Sequence, residues 1–116
     1  MESGTTLLAV IFYKSSAGRV PVLEWLQNLH TSDRRVIGAD LYRVQDHWPI
    51  GMPFCKSLGG GLWEVRSNLA GGRIARLIFC IKDSEVYVLH GFFKTTQKTA
   101  KTDLGLAMKR LREVRP

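Results

Sequence analysis

The second half of the chain contains three β-like segments in close succession, and this feature constrains the fold most. Residues 62–67 alternate between apolar and polar side chains, residues 73–81 form a mostly apolar run, and residues 86–93 follow after the short polar segment 82–85. Strands joined by such short connections pair as antiparallel neighbours. The sequence therefore predicts an antiparallel meander.

The first half predicts one strand and two helices. Residues 7–13 form a short apolar run rich in β-forming residues. Pro21 suits the first turn of a helix, and Pro49 stops a helix that precedes it. Two apolar stripes at helical spacing lie between these prolines: Val22, Trp25, Leu26 and Leu29, then Ile37, Leu41, Val44 and Trp48. The two helices predict an N-terminal helical hairpin.

A last helix is expected near the C-terminus. Thr102 or Asp103 can cap its start, and its apolar stripe consists of Leu104, Ala107, Met108 and Leu111. The predicted order is strand, two helices, three strands and helix, which is an α+β fold with helices packed on a mostly antiparallel sheet. We interpret residues 1–116 as a single domain, because 116 residues suffice for one core and no repeat or long linker interrupts them.

The net charge of +7 lies almost wholly in the second half of the chain. Residues 1–61 hold six basic and five acidic residues, whereas residues 62–116 hold eleven and five. A surplus of this kind attracts polyanions, although solubility alone would also explain it. The charge therefore favours a nucleic acid or an acidic protein as partner and does not choose between them.

Several sequence features bear on the compartment and on cofactors. No apolar run is long enough to span a bilayer, and Glu2 stands where a signal peptide carries positive charge. Cys55 and Cys80 cannot form a disulfide framework and lack the spacing of metal ligands. The three histidines are too scattered for a metal site. We expect a cytoplasmic protein with no membrane association and no metal or other cofactor.

Polar residues inside strands, or at their ends, are the candidates for chemistry. Arg76 is the most informative, because it interrupts a run that otherwise favours burial. It must snorkel, pair with a carboxylate such as Glu64, or face an open side of the sheet. Arg76 and His90 share a face if they lie opposite one another, and a register slip of one residue separates them. The sequence leaves that register open.

Each basic candidate also has an ordinary structural explanation. Arg66 and Arg73 lie at strand ends, where charges are usually solvated. An isolated histidine in a strand is more often structural than catalytic. Lys94, Lys98 and Lys101 could form only a solvated connection into the last helix. Together on one concave face of the sheet, however, these residues would form a cationic site.

Three segments resemble the HigB branch of the RelE/ParE-like toxins, which includes a large phage-derived group. They are LWEVR (residues 62–66), GRIARLIF (residues 72–79) and VLHGFFKTTQKT (residues 88–99). Ala100 departs from the pattern, since many relatives have proline there. The resemblance implies a RelE-like fold and the toxin of a type II toxin–antitoxin pair. It also implies a helix-turn-helix, HigA-like antitoxin as partner and ribosome-bound mRNA as substrate.

The resemblance also implies roles for individual residues. It matches Arg76 to the arginine at the scissile phosphate and Lys94 to a basic position at the end of the last strand. His90 is the natural titrating candidate, and Lys94 or Lys98 could serve as acid or as base. Cleavage through attack by the RNA's own 2′-hydroxyl needs no metal, and arginines suit the phosphoryl charge. Contacts with RNA or phosphate are predicted for Arg66, Arg73, Lys101, Lys109, Arg110 and Arg112.

Two other functions remain open on the sequence alone. One is a ParE-like toxin that inhibits DNA gyrase through protein contacts and has no nuclease centre. The other is a phage accessory protein or nucleic-acid-binding protein whose inherited site is inactive. The endoribonuclease requires Arg76, His90 and Lys94 to cluster, and neither alternative requires this.

Overall fold

The structure, a computed structural model, describes residues 7–94 and 99–115. Within them, one short 3₁₀ turn (Ala70–Gly72) joins two of the strands. The strands and α-helices follow in the order β1 (Ala9–Phe12), α1 (Pro21–Gln27), α2 (Thr31–His47), β2 (Cys55–Gly59), β3 (Leu62–Asn68), β4 (Ile74–Lys82), β5 (Glu85–Phe93) and α3 (Lys101–Val114). The predicted α+β class is confirmed.

The strands form one five-stranded sheet in the order β1-β5-β4-β3-β2. Neighbours from β2 to β5 pair antiparallel, so the predicted meander of β3, β4 and β5 is confirmed, and β1 pairs parallel with β5. Strand β2 was not predicted. Its sequence, CKSLG, has no alternating apolar pattern, and in the sheet only Cys55 is buried. As an edge strand it depends on pairing with β3, which lies beyond any local signal.

Helices cover both faces of the sheet. On one face, α1 and α2 pack over inward-facing side chains of the strands, in a core that includes Val22, Ile37, Leu41, Val44, Val65, Leu77, Phe79 and Val88. On the other face, α3 packs over a smaller core formed by Tyr13, Leu62, Ile78, Cys80, Leu89, Ala107 and Leu111. In the part of the chain described, none of these helices has the length and apolar character that crossing a membrane requires.

The end of β5 is held in place by a close approach of α1. A β-carbon added to Gly91 would lie 2.8 Å from the Trp25 ring and 2.9 Å from the Leu77 side chain. Trp25 also meets Phe93 edge-on, with ring centroids 5.4 Å apart. Because only glycine leaves room for this contact, residue 91 fixes where β5 runs beneath α1.

A one-residue bulge in β5 decides which of its side chains share a face with Arg76. Near the turn, Phe79 pairs with Val88, but one step further Ile78 pairs with His90, so Leu89 is the extra residue. Beyond the bulge Arg76 lies opposite Phe92. Without this bulge, Arg76 would lie opposite Gly91, and the His90 and Phe92 side chains would point to the opposite face of the sheet, the one that α1 and α2 cover. Arg76 and His90 therefore share a face, though not as direct neighbours.

Candidate active site

Two rows of side chains cross the sheet on the face that α3 partly covers. In an antiparallel sheet, directly opposite β-carbons lie about 4.5–5.5 Å apart. One row consists of Lys56, Glu64, Ile78 and His90, and the next consists of Arg66, Arg76 and Phe92. Lys94 continues β5, where its backbone N–H donates to the Ile74 carbonyl at 2.8 Å. We call Arg66, Arg76 and Lys94 the basic cluster.

Arg76 is buried and paired with Glu64, which is one of the arrangements that its sequence context predicts. Arg76 is 7% exposed and Glu64 is 2% exposed. Nη1 of Arg76 donates to Oε1 of Glu64, and the Thr99 hydroxyl donates to Oε2 of the same carboxylate at 2.6 Å. Glu64 therefore links the central strands to the segment that leads into α3.

One donor of Arg76 lacks a partner among the described residues. Its Nε is buried and makes no hydrogen bond there. Arg76 and Glu64 line a small pocket of about 50 Å³, whose other lining residues are Met52, Pro53, Phe54, Lys56 and Arg66. An unpaired buried donor costs free energy, and an anionic oxygen close to Nε would offset that cost.

Lys94 is half-buried, and its surroundings disfavour its charged form. Burial is the largest cause that lowers the pKa of Lys94, followed by the positive charges of Arg76 and Arg66. The Glu64 carboxylate acts in the opposite direction, and Lys56 lowers the pKa further. A lysine in this setting exchanges its proton at a lower pH than an exposed lysine.

His90 is oriented by α3. Its Nε2 lies 2.7 Å from Oδ1 of Asp103, and its ring stacks on Phe92 with centroids 5.3 Å apart. Asp103 belongs to the first turn of α3, where the helix dipole stabilises a negatively charged carboxylate. The sequence indicated Asp103 only as a capping residue. Phe92 lies between His90 and Lys94 on β5, so the histidine is at the edge of the basic cluster.

Arg73 does not join the basic cluster. It lies on the face that α1 and α2 cover, where Nη1 and Nη2 each donate to a carboxylate oxygen of Asp33 at 2.8 Å. Its Nε donates to the Ala70 carbonyl at 3.0 Å. The Arg73 guanidinium holds the pKa of the buried Asp33 carboxyl below its usual range, through its hydrogen bonds and then its charge. In this structure Arg73 fastens α2 to the connection between β3 and β4.

The remaining predicted RNA contacts divide between β3 and α3. Arg66 is exposed at the basic cluster, where Nε donates to Oδ1 of Asn68 at 3.2 Å. Arg110 is partly buried: it donates to the Leu89 carbonyl at 2.8 Å, and its guanidinium carbon lies 4.9 Å from the Tyr13 ring centroid. Exposed positions on α3 hold Lys101, Lys109 and Arg112. Lys98, predicted to be catalytic, lies outside the described residues.

The structure adds residues that the sequence did not indicate. Lys56 lies on the unpredicted strand β2, opposite Glu64. Phe54 precedes that strand and lines the small pocket beside Arg76. Neither residue carries a local pattern that marks it, because each reaches the site through the pairing of β2 with β3.

One comparison with known proteins identifies a family. The family model described as Phage derived protein Gp49-like (DUF891) matches residues 24–112, about three-quarters of the chain. This range includes α2, strands β2 to β5 and every residue of the basic cluster. No curated protein matches the chain significantly. The extent of the family match shows that the chain belongs to the Gp49-like phage-derived family, a RelE/HigB-like family of toxins in toxin–antitoxin systems.

Proposed function

We propose that this protein is a HigB-type toxin that cleaves mRNA on the translating ribosome, and that a helix-turn-helix, HigA-like antitoxin neutralises it. Family membership supports the toxin role. The observation that carries the nuclease proposal is the half-buried Lys94, whose pKa is lowered by burial and by the charges of Arg76 and Arg66. A gyrase-inhibiting toxin that acts through protein contacts has no need of such a cluster.

The proposed reaction uses the RNA's own 2′-hydroxyl as nucleophile. Its oxygen bonds to the adjacent phosphorus while the bond from phosphorus to the 5′-oxygen breaks, which leaves a 2′,3′-cyclic phosphate and a 5′-hydroxyl. One proton leaves the 2′-hydroxyl and one reaches the departing 5′-oxygen. The protein must hold these oxygens in line and stabilise the phosphoryl charge. No metal is needed for any of these steps.

The two arginines of the basic cluster are suited to the phosphoryl oxygens. A guanidinium is always charged and presents a planar set of donors to phosphate. Arg66 is exposed and can meet the phosphate directly. Arg76 keeps its Glu64 partner through Nη1. Its Nε, which makes no hydrogen bond to the part of the chain that the structure describes, would be offered to the same phosphate. Glu64 then acts as a positioning residue that fixes the direction of the Arg76 guanidinium.

Lys94 and His90 are the proton-transfer groups in this proposal. Lys94 lies beside the arginines and gives its proton to the departing 5′-oxygen. His90 is oriented through Nε2 by Asp103, and its Nδ1 accepts the proton that leaves the 2′-hydroxyl. A positioned acid or base contributes typically 10²–10⁴-fold. Lys98 remains a predicted catalytic residue on the resemblance alone, and Lys101, Lys109 and Arg112 are proposed to contact ribosomal RNA.

Lys94→Met tests the proposal with little disturbance of the fold. Methionine keeps most of the apolar stem, and Glu64, the one carboxylate among the described residues that raises the pKa of Lys94, keeps its pairing with Arg76. We expect induced expression of the variant to cause no growth arrest, and cleavage of ribosome-bound mRNA to fall at least about 100-fold. Lys14→Met is the matched control, because Lys14 is exposed beyond the end of β1, and it should cleave at the wild-type rate.

Three outcomes contradict the proposal. If the Lys94→Met variant cleaves ribosome-bound mRNA at the wild-type rate, Lys94 takes no part in the reaction and the basic cluster is not its catalytic centre. Intact mRNA together with inhibited gyrase would establish the ParE-like alternative. Absence of any toxicity on induced expression of the wild-type chain would favour the inactive accessory protein.

A further inference from the structure

A groove lies between α2 and the segment before β2, next to the small pocket of Arg76. Its volume is about 420 Å³, and its lining includes Val36, Asp40 and Arg43 from α2. Pro53, Phe54 and Arg66 line both this groove and the Arg76 pocket. A chain that places a phosphate at Arg66 can therefore extend into the groove without leaving the protein surface. We call it the α2 groove.

An exposed aromatic ring forms one wall of the α2 groove. Phe54 is 41% exposed, so part of its ring is accessible to a ligand. The guanidinium carbon of Arg43 lies 4.3 Å from the centroid of the Phe54 ring. Aromatic rings and arginine planes are the surfaces on which proteins stack unpaired RNA bases. Stacking of this kind is available to any base.

A carboxylate on the same groove offers a hydrogen-bond acceptor. The Asp40 side chain is 20% exposed, and its Oδ1 lies 3.9 Å from Nη1 of Arg43, too far for a tight pair. An ionised carboxylate accepts hydrogen bonds and cannot donate them, so Asp40 pairs only with a group that carries an N–H or O–H. Adenine, cytosine and guanine carry exocyclic amino donors, whereas the base donor of uracil, N3–H, lies between two carbonyl oxygens that a carboxylate repels. Asp40 therefore favours a base with an amino group.

We propose that the α2 groove binds the base of a nucleotide next to the scissile phosphate, with Phe54 and Arg43 as the stacking surface and Asp40 as the group that selects an amino-bearing base. The inference rests on the proposed function and extends it to substrate selection. The groove volume suits one nucleotide, since small-ligand sites in proteins occupy roughly 300–1,000 Å³. Arg66, shared by both pockets, would hold the phosphate between them.

Binding of a non-cleavable RNA tests the proposal without depending on catalysis. The probes are 2′-O-methyl trinucleotides of A, C, G or U, titrated calorimetrically into the full chain. We expect the U trinucleotide to bind most weakly. Phe54→Ala should weaken binding of the other three about tenfold, within the range for loss of one stacked base. Asp40→Asn should reduce the discrimination between C and U, because an amide both donates and accepts.

Tyr42→Ala is the matched control. Tyr42 is an aromatic residue of α2 that is 52% exposed, and it does not line the groove. The control should bind all four trinucleotides as the wild type does. Equal binding of C and U by the wild type, or an unchanged affinity in Phe54→Ala, would overturn the proposal. Loss of antitoxin binding without loss of RNA binding in Phe54→Ala would assign the groove to a protein partner instead and would also overturn it.

A parallel cleavage assay separates this proposal from the proposed function. If the wild type cleaves ribosome-bound mRNA and Phe54→Ala changes neither RNA affinity nor the bases at the cleavage sites, the α2 groove proposal fails alone. If RNA binds through Phe54 and the wild type still leaves mRNA intact, the nuclease proposal fails and the groove remains an RNA site.

Discussion

Arg76 and Glu64 form a pair whose cost to stability is testable. Removing one partner of a buried ion pair typically costs 3–5 kcal/mol, because the other charge remains buried, whereas apolar replacement of both is often neutral or stabilising. Arg76→Ala should therefore lower the free energy of unfolding by about 3–5 kcal/mol. The double variant Glu64→Leu/Arg76→Met should unfold at a urea concentration close to that of the wild type, and should not cleave RNA.

This double variant also shows why the pair is present. Stability without cleavage would mean that the buried charges serve function rather than folding. A double variant as unstable as Arg76→Ala would contradict that account, since the pair would then be needed to hold β3, β4 and Thr99 together. A double variant that still cleaves RNA would contradict the role proposed for Arg76.

Lys94 should make the folded state pH-dependent. Its pKa is lowered in the folded protein by burial and by two arginines, so the unfolded chain binds its proton more tightly. Stability then rises with pH between the folded pKa and the unfolded value of about 10.4. We expect Lys94→Met to have a higher Tm than the wild type at neutral pH, and the difference to shrink as the pH approaches 10. Thermal unfolding across this range, with Lys14→Met as control, provides the measurement. A Tm difference that widens with pH would contradict the assigned cause.

For single residues, the sequence could indicate that the Arg76 guanidinium needs a partner. It could not indicate the pairs that Arg73 and His90 form with carboxylates elsewhere in the chain. A charged residue in an apolar run is visible locally, and Glu64 was one acidic candidate for its partner. Asp33 and Arg73 are 40 positions apart, and His90 and Asp103 meet only because α3 packs on that face. Such pairs arise from tertiary packing, so spacing along the chain does not reveal them.

At the scale of elements, the close contact between α1 and β5 depends on Gly91. A β-carbon at this position would overlap the Trp25 ring, and overpacking of a core typically costs 1–3 kcal/mol. Gly91→Ala should therefore lower the free energy of unfolding by about 1–3 kcal/mol and weaken cleavage, because the end of β5 carries Lys94. Chemical denaturation and the mRNA cleavage assay measure the two effects.

Gly38→Ala is the control for this substitution. Gly38 lies within α2, and a β-carbon there meets no atom within 4 Å. Alanine is favoured over glycine in a helix by about 1 kcal/mol, so this variant should be more stable than the wild type. Equal effects of the two substitutions would contradict the packing that we describe at Gly91.

The regular elements were largely predictable, because apolar runs and helical stripes mark them directly. Strand β2 and the bulge at Leu89 were not. Strand β2 is defined by its pairing with β3, and the bulge is defined by the register of β4 against β5. The bulge determines whether His90 and Phe92 face Arg76, so the sequence left open the feature that assembles the site.

At the scale of the whole molecule, the excess positive charge should govern association with ribosomes. Lys109 and Arg112 are exposed on α3 and are proposed to contact ribosomal RNA. When the logarithm of the binding constant is plotted against the logarithm of the salt concentration, each phosphate contact makes the slope more negative by about 0.7–0.9. Lys109→Gln/Arg112→Gln should therefore reduce that slope by about 1–2 in ribosome binding measured over a salt series.

A second double variant distinguishes specific contact from net charge. Lys14→Gln/Arg35→Gln removes the same charge from exposed positions outside α3. We expect this control to leave the salt dependence close to that of the wild type. Equal reductions in the two double variants would show that the overall charge of +7 acts without a defined surface.

The chemical ends of cleaved mRNA show whether the RNA's own 2′-hydroxyl is the nucleophile and whether Lys94 takes part. Translating ribosomes are incubated with the wild-type chain or with the Lys94→Met variant, and the new RNA fragments are isolated. The new 5′ ends are then tested for whether they must be phosphorylated before an adaptor can be ligated to them. We expect 5′-hydroxyl and 2′,3′-cyclic phosphate ends with the wild type and almost none with the variant. New 5′-phosphate ends, or equal cleavage by both proteins, would contradict this expectation.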